Sequence, residues 1–299
     1  MPPLRHAMLG AGGVGGVMAA FLAHLGESVT LVVRPELAAN YPSEIQLESP
    51  FGNFRVPVAH DKTVPPADIL WITVKATQLD AALAAVPRPD IARVIVPLLN
   101  GIDHLATLRS KYGEHRVIPA TIAGEMERVV PGHFVHSTPF LVLNVSSSGR
   151  NLLGNAMEGL QEMGLQCRFI DDEPTLMWSK MVFLAPIALA TTAANLPIGG
   201  VRDDPHWRDE WQSCVREACA VATAEGAKVD PNAVIQRMGQ VPAAMRSSMQ
   251  KDVERGNAPE LEGIARPILR GGIRHGIRTP ATERLAAMVE GRSGTRVTV

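Results

Sequence analysis

The sequence is poor in cysteine, in aromatic residues and in net charge. Cys167, Cys214 and Cys219 are the only cysteines in 299 residues, and they form no Cys-x-x-Cys pair and no disulfide framework. Aromatics make up 4%, which leaves few stacking platforms for nucleic-acid bases. Lys+Arg 29 against Asp+Glu 30 gives a net charge of −1, which argues against a basic nucleic-acid binder and an acidic tail alike. The apolar runs fall short of the ~18 residues of a membrane span. The opening, with Pro2 and Pro3 before a strand pattern, does not resemble a signal peptide. His133 and His136 flank a turn-rich segment without further ligands at metal-binding spacing, so no metal site is expected. These absences leave a cytoplasmic, reduced globular protein with no membrane or nucleic-acid partner. Hydrophobic residues at 46% are ample for a core.

The first half alternates short apolar runs with helix-like stretches. Residues 6–9, 28–33, 68–74, 93–99 and 116–122 read as strands, and residues 14–25 and 78–86 as helices. Continuously apolar strands in a β-α-β rhythm predict a parallel sheet covered on both faces. Residues 45–60 and 124–145 break the rhythm and read as hairpin insertions, with Gly52-Asn53 and Pro131-Gly132 as turns. Residues 151–163 read as a helix and 167–170 as a last strand. Beyond Glu173 the chain is rich in Ala, Met and Leu and reads as helices. The expected fold class is α/β: a Rossmann-type doubly wound domain over 1–170, then an all-helical domain over 171–299. Residues 291–299 read as a loose tail.

The first strand runs into Gly10-Ala11-Gly12-Gly13-Val14-Gly15, which opens a helix. That context is what the dinucleotide-binding G-x-G-x-x-G pattern requires. Gly10 permits the tight turn, Gly12 lets a pyrophosphate approach the backbone, and Gly15 lets the helix pack closely on the sheet. The second strand ends at Val33-Arg34, without the acid that binds the ribose hydroxyls of NAD. Arg34 offers a planar, permanently charged fork suited to a 2′-phosphate, so NADP(H) is the expected cofactor.

Further landmarks follow in order: Thr73-Val74-Lys75-Ala76-Thr77-Gln78, Leu98-Leu99-Asn100-Gly101, Trp178-Ser179-Lys180-Met181, Ser247-Ser248-Met249 with Glu260, and His275-Gly276-Ile277 with Pro280. With the glycine loop and Arg34 they resemble the ketopantoate reductase family over nearly the whole chain. The resemblance implies NADPH-dependent reduction of a 2-keto acid or related carbonyl compound, a place in pantothenate biosynthesis, and a homodimer as one arrangement. It implies that Lys75 and Asn100 line the cofactor and that Lys180 is the catalytic lysine. It also implies that Asn100, Lys180, Ser248 and Glu260 contact substrate, with Glu260 in a catalytic part. The chemistry suits these roles, because an ammonium beside a ketone oxygen stabilises the developing charge and can supply the proton.

One stretch departs from the family. Its reductases carry asparagines four and eight residues after the lysine, where this chain has Leu184 and Ala188. Pro186 between them is expected to kink the helix. Ketopantoate is therefore expected to be a weak substrate. A reductase for a less polar carbonyl compound and a non-catalytic NADP-binding regulatory protein both stay open as alternatives. Arg266, Arg270, Arg274 and Arg278 recur every four residues and read as a solvated helix stripe offset by Glu254, Glu260 and Glu262. Cys214, Cys219, Met238, Met245 and Met249 read as packing or lining residues.

Overall fold

The structure, a computed structural model, describes residues 3–294. Met1, Pro2 and residues 295–299 lie outside the described residues, and with them most of the expected loose tail. The chain forms two compact units. One takes in the chain up to Leu99 together with His104–Asp171; the other takes in Asn100–Asp103 and the chain from Asp172 onward.

In the first unit the elements run β1 (Arg5–Leu9), α1 (Gly13–His24), β2 (Ser28–Val32), α2 (Pro35–Ala38), β3 (Glu44–Glu48), β4 (Phe54–Pro57), β5 (Ala59–Asp61) and β6 (Ala67–Ile72). They continue with α3 (Leu79–Leu83), β7 (Ala92–Pro97), α4 (His104–Tyr112), β8 (Ala120–Ala123), β9 (Met126–Val130), β10 (His133–His136), β11 (Val142–Ser146), α5 (Arg150–Glu162) and β12 (Gln166–Ile170). A parallel five-stranded sheet has the order β5-β2-β1-β6-β7. Leu9 is in register with Val32 on one side and Ile72 on the other, so three strands end level. The α/β, Rossmann-type reading of this half is what the chain adopts.

Three details differ from the sequence reading. Residues 116–122 meet the parallel sheet only at an isolated parallel bridge from Val117 to Ile95 and do not continue there as a strand. Pro119 lacks an N–H and cannot sustain a ladder; β8 begins at Ala120 and pairs antiparallel with β11 in a separate sheet, β12-β11-β8. The edge place in the parallel sheet goes to β5. The two insertions are hairpins, and they join: β10 runs parallel to β3, giving one sheet ordered β4-β3-β10-β9. This sheet packs on α1, which is therefore covered on both sides and buried from Gly15 to Leu22. An all-round apolar helix is what such a position demands.

The second unit is helical: α6 (Glu173–Ala194), α7 (Ile198–Asp203), α8 (Pro205–Ala224), α9 (Pro231–Gly239), α10 (Ser248–Glu254), α11 (Leu261–Ile264), α12 (Arg266–His275) and α13 (Pro280–Ser293). Starts and stops are written locally. Asp172, Asp204, Asp230 and Ser247 each accept a backbone N–H in the first turn of the helix they cap. Asn195 and Gly276 take left-handed conformations that end α6 and α12. α13 includes residues 291–293, which the sequence reading placed in the loose tail. By length and average composition α6 is apolar enough to cross a membrane, although Lys180 keeps its uninterrupted apolar runs short. Most of that stretch, 78%, is buried inside the protein, as befits the central helix of a bundle.

His6 lies buried in β1 and accepts a hydrogen bond at Nδ1 from Trp71 Nε1 at 3.0 Å. Burial pushes its pKa from 6.5 down to about 4, with the Asp68 charge opposing the shift. The unfolded chain thus takes up this proton near pH 6.5 and the folded chain only near pH 4. Stability present above the unfolded value is lost as pH falls through that window, by up to about 3 kcal/mol. Denaturant unfolding across this range should show the loss, and His6→Gln should flatten it. An unchanged pH slope in the variant contradicts the assignment.

Candidate active site

The glycine loop is fixed by its own backbone. Gly10 has φ 115°, and a Cβ there would sit 2.8 Å from Val74 Cγ1. A Cβ on Gly15 would run into the Gly10 carbonyl and Thr73 Oγ1. That hydroxyl donates to the Gly10 carbonyl at 2.7 Å. Gly12, the cap of α1, has open space where its Cβ would be. Gly13 and Val14 begin the helix, whose first-turn N–H groups have no intrahelical acceptor. Open space beside such amides fits a dinucleotide pyrophosphate. Ala11 is buried, and its carbonyl accepts from Arg128 Nη1 at 3.1 Å. This brace from β9 is not legible in the sequence, since it depends on how a distant hairpin folds back.

Arg34 lies just beyond β2, caps α2 and is 70% exposed, with Glu36 at 3.6 Å. Lys75 is exposed beyond β6, at the head of the short helical turn Ala76–Gln78. Arg34, Lys75 and the glycine loop thus follow the carboxyl ends of β2, β6 and β1, the edge where α/β sheets bind ligands.

In the helical unit, Lys180 Nζ donates to Asn100 Oδ1 at 2.9 Å. Asn100 Nδ2 donates to Glu260 Oε2 at 2.9 Å. The orientation of the amide is dictated, because an ammonium only donates and a carboxylate only accepts. Burial pushes the Lys180 pKa down to about 8, and the Glu260 charge holds it from falling further. The segment carrying Asn100 is seated by Gly101. At φ 88° that residue packs on Gly263, whose Cα would be 2.9 Å from a Cβ. Asp103 then pairs with Arg270 at 2.8 Å, and Ile102 packs on the helical core. Lys180, Asn100 and Glu260 are brought together. Ser248 is exposed on the first turn of α10 and stands outside this chain of hydrogen bonds.

Residues 6–145 match the family model described as ketopantoate reductase PanE/ApbA, and residues 174–293 match its C-terminal counterpart. The chain belongs to the ketopantoate reductase family. A 2-dehydropantoate 2-reductase of Caulobacter vibrioides is 29% identical, covering 95% of this chain and 97% of that protein. One from Archaeoglobus fulgidus is 26% identical over 96% and 97%. The crystal structure of a PanE/ApbA family ketopantoate reductase from Ralstonia eutropha superposes with a TM-score of 0.84 at 26% identity, covering 97% and 99%.

α6 is one continuous helix from Glu173 to Ala194 with Pro186 inside it. The proline removes one helical bond, to the Val182 carbonyl. With the helix continuous, Lys180, Leu184 and Ala188 keep their four-residue spacing on one face. Ala188 is buried, and its carbonyl accepts from Thr192 Oγ1 at 2.7 Å. The arginine stripe pairs with acids: Arg266 with Glu262 at 3.0 Å, Arg270 with Asp103, and Arg274 with Glu225 at 2.7 Å. Glu254 and Glu260, expected to offset it, partner Arg246 and Asn100 instead.

Because Glu260 holds the Lys180 ammonium protonated, Glu260→Gln should move the titration midpoint of Lys180 below about 8. Carbon-13 NMR of labelled lysine reads the midpoint directly. A midpoint that stays in place would show that the carboxylate does not act on the ammonium.

Proposed function

We propose that this chain catalyses NADPH-dependent reduction of a 2-keto acid of the ketopantoate type to the 2-hydroxy acid, with Lys180 as proton donor. The observation that carries the proposal is the half-buried ammonium of Lys180, tied through Asn100 to Glu260 and held near pKa 8. The glycine loop would hold the pyrophosphate on the amides of α1, and Arg34, with Lys75, the 2′-phosphate end. The bound cofactor supplies a hydride to the carbonyl carbon. As the C=O electron pair moves onto oxygen, the Lys180 ammonium stabilises the charge and gives up its proton. Asn100 and Glu260 orient that ammonium and keep it charged at neutral pH. The retained chain of Lys180, Asn100 and Glu260 argues against a purely regulatory nucleotide binder, which needs none of the three to hold cofactor.

Loss of nicotinamide absorbance, followed over a panel of 2-keto acids, tests the proposal. Lys180→Ala should lower kcat at least ~10²-fold with NADPH affinity nearly unchanged. Wild-type turnover in that variant would place the proton donor elsewhere.

Arg34 generates a second expectation. NADPH should bind more tightly than NADH by about one to two decades, the worth of a charge-assisted phosphate contact. Arg34→Ala should erase most of the difference in titration calorimetry, and equal wild-type affinities would contradict the assignment.

A further inference from the structure

Arg128 owes its direction to an irregularity in β9. Val130 pairs with His133 and Arg128 with Phe134, so Val129 has no partner across the ladder. In a regular ladder running on from the Val130–His133 pair, Val129 would lie opposite Phe134, and Arg128 would lie opposite Val135 on the other face. Partners across a ladder share a face, and a bulge of one residue exchanges the faces of everything beyond it. Phe134 is fully buried against α1, where a Cβ on Gly16 would run into its ring. The bulge therefore turns Arg128 towards α1, and it leaves the neighbouring Val129 and Val130 both exposed, at 54% and 53%.

On that face the half-buried guanidinium donates through Nη1 to the Ala11 carbonyl at 3.1 Å, and it has no acid partner among the described residues. Strand and loop touch directly here, since a Cβ on Gly13 would run into the Met126 carbonyl. A trans peptide is planar, with its C=O and N–H pointing opposite ways. With the Ala11 carbonyl held by Arg128, the Ala11–Gly12 peptide sends its Gly12 N–H away from β9, and that N–H has no acceptor among the described residues. Gly12 is also the residue with open space where a Cβ would be, at the head of α1. Free loop amides, with an unneutralised guanidinium one peptide away, form the kind of donor set a diphosphate takes.

We infer that Arg128 is a positioning residue for the cofactor diphosphate: it fixes the Ala11–Gly12 peptide so that the Gly12 N–H faces the ligand, and it sets a positive charge beside the loop. This inference rests on the proposed use of a nicotinamide dinucleotide. It concerns the part that NADPH and NADH share, whereas Arg34 is assigned to the 2′-phosphate alone.

Titration calorimetry of the ligand-free wild-type and Arg128→Met proteins with NADPH and with NADH, each at several salt concentrations, tests it. Methionine keeps the apolar stem and removes the guanidinium. The variant should bind both dinucleotides about ten- to hundredfold more weakly, with the ratio between them unchanged. Its NADH affinity should also fall less steeply with added salt, because one cation fewer faces the diphosphate. Wild-type affinity in the variant overturns the inference. So does a loss confined to NADPH, which would put Arg128 at the 2′-phosphate. Weaker binding with an unchanged salt dependence, or a ligand-free variant that melts far below wild type, overturns it too, by making Arg128 a structural brace only. A wild type that binds neither dinucleotide contradicts the proposed cofactor and this inference together, whereas the other contrary outcomes leave the proposed reduction standing.

Discussion

The Lys180 ammonium, hydrogen-bonded to the Asn100 amide and through it to the Glu260 carboxylate, is the interaction on which the candidate site depends. Burial and charge act on it in opposite directions. Desolvation alone would strip the proton, and a carboxylate in direct contact would hold it too firmly to release. An amide placed between them transmits orientation while diluting the charge, and the balance falls at about 8. That value lies close enough to neutrality to suit the proposed proton donor, which would have to be charged at rest and also give up its proton.

Much of the surrounding helical unit serves to build this chain. Asn100 reaches its partners only because Gly101 has no Cβ to hold the segment off Gly263, and because Asp103 is tied to Arg270. Glu260 stands at the head of α11, and Lys180 rides on α6, whose start is fixed by the Asp172 cap. In the sheet unit the same economy appears at the glycine loop. There Gly10, Gly15 and Thr73 interlock and Arg128 braces Ala11 from outside, leaving the Gly12 face open.

What could be read from the sequence was local. The glycine loop, the strands read over 6–9 and 68–74, and the change to helices from Glu173 are each written in contiguous residue patterns, and the structure has them, with the second strand ending two residues earlier at Ile72. Sheet membership was not legible, because it is decided by distant pairing. Nothing near residues 116–122 says that Pro119 will divert the strand to β11, and nothing in two separate hairpins says that β10 will pair with β3. At the site, Lys180 and Glu260 were singled out by motif, yet the role of Asn100 as the link between them appears only in three dimensions.

The pH dependence of kcat/KM for reduction of the best 2-keto acid by the wild-type protein tests the account most directly. If the Lys180 ammonium is the proton donor, the rate constant should fall above about pH 8, following loss of that proton. A profile that stays level well beyond that pH would contradict the account, because the rate would then not depend on whether Lys180 carries its proton.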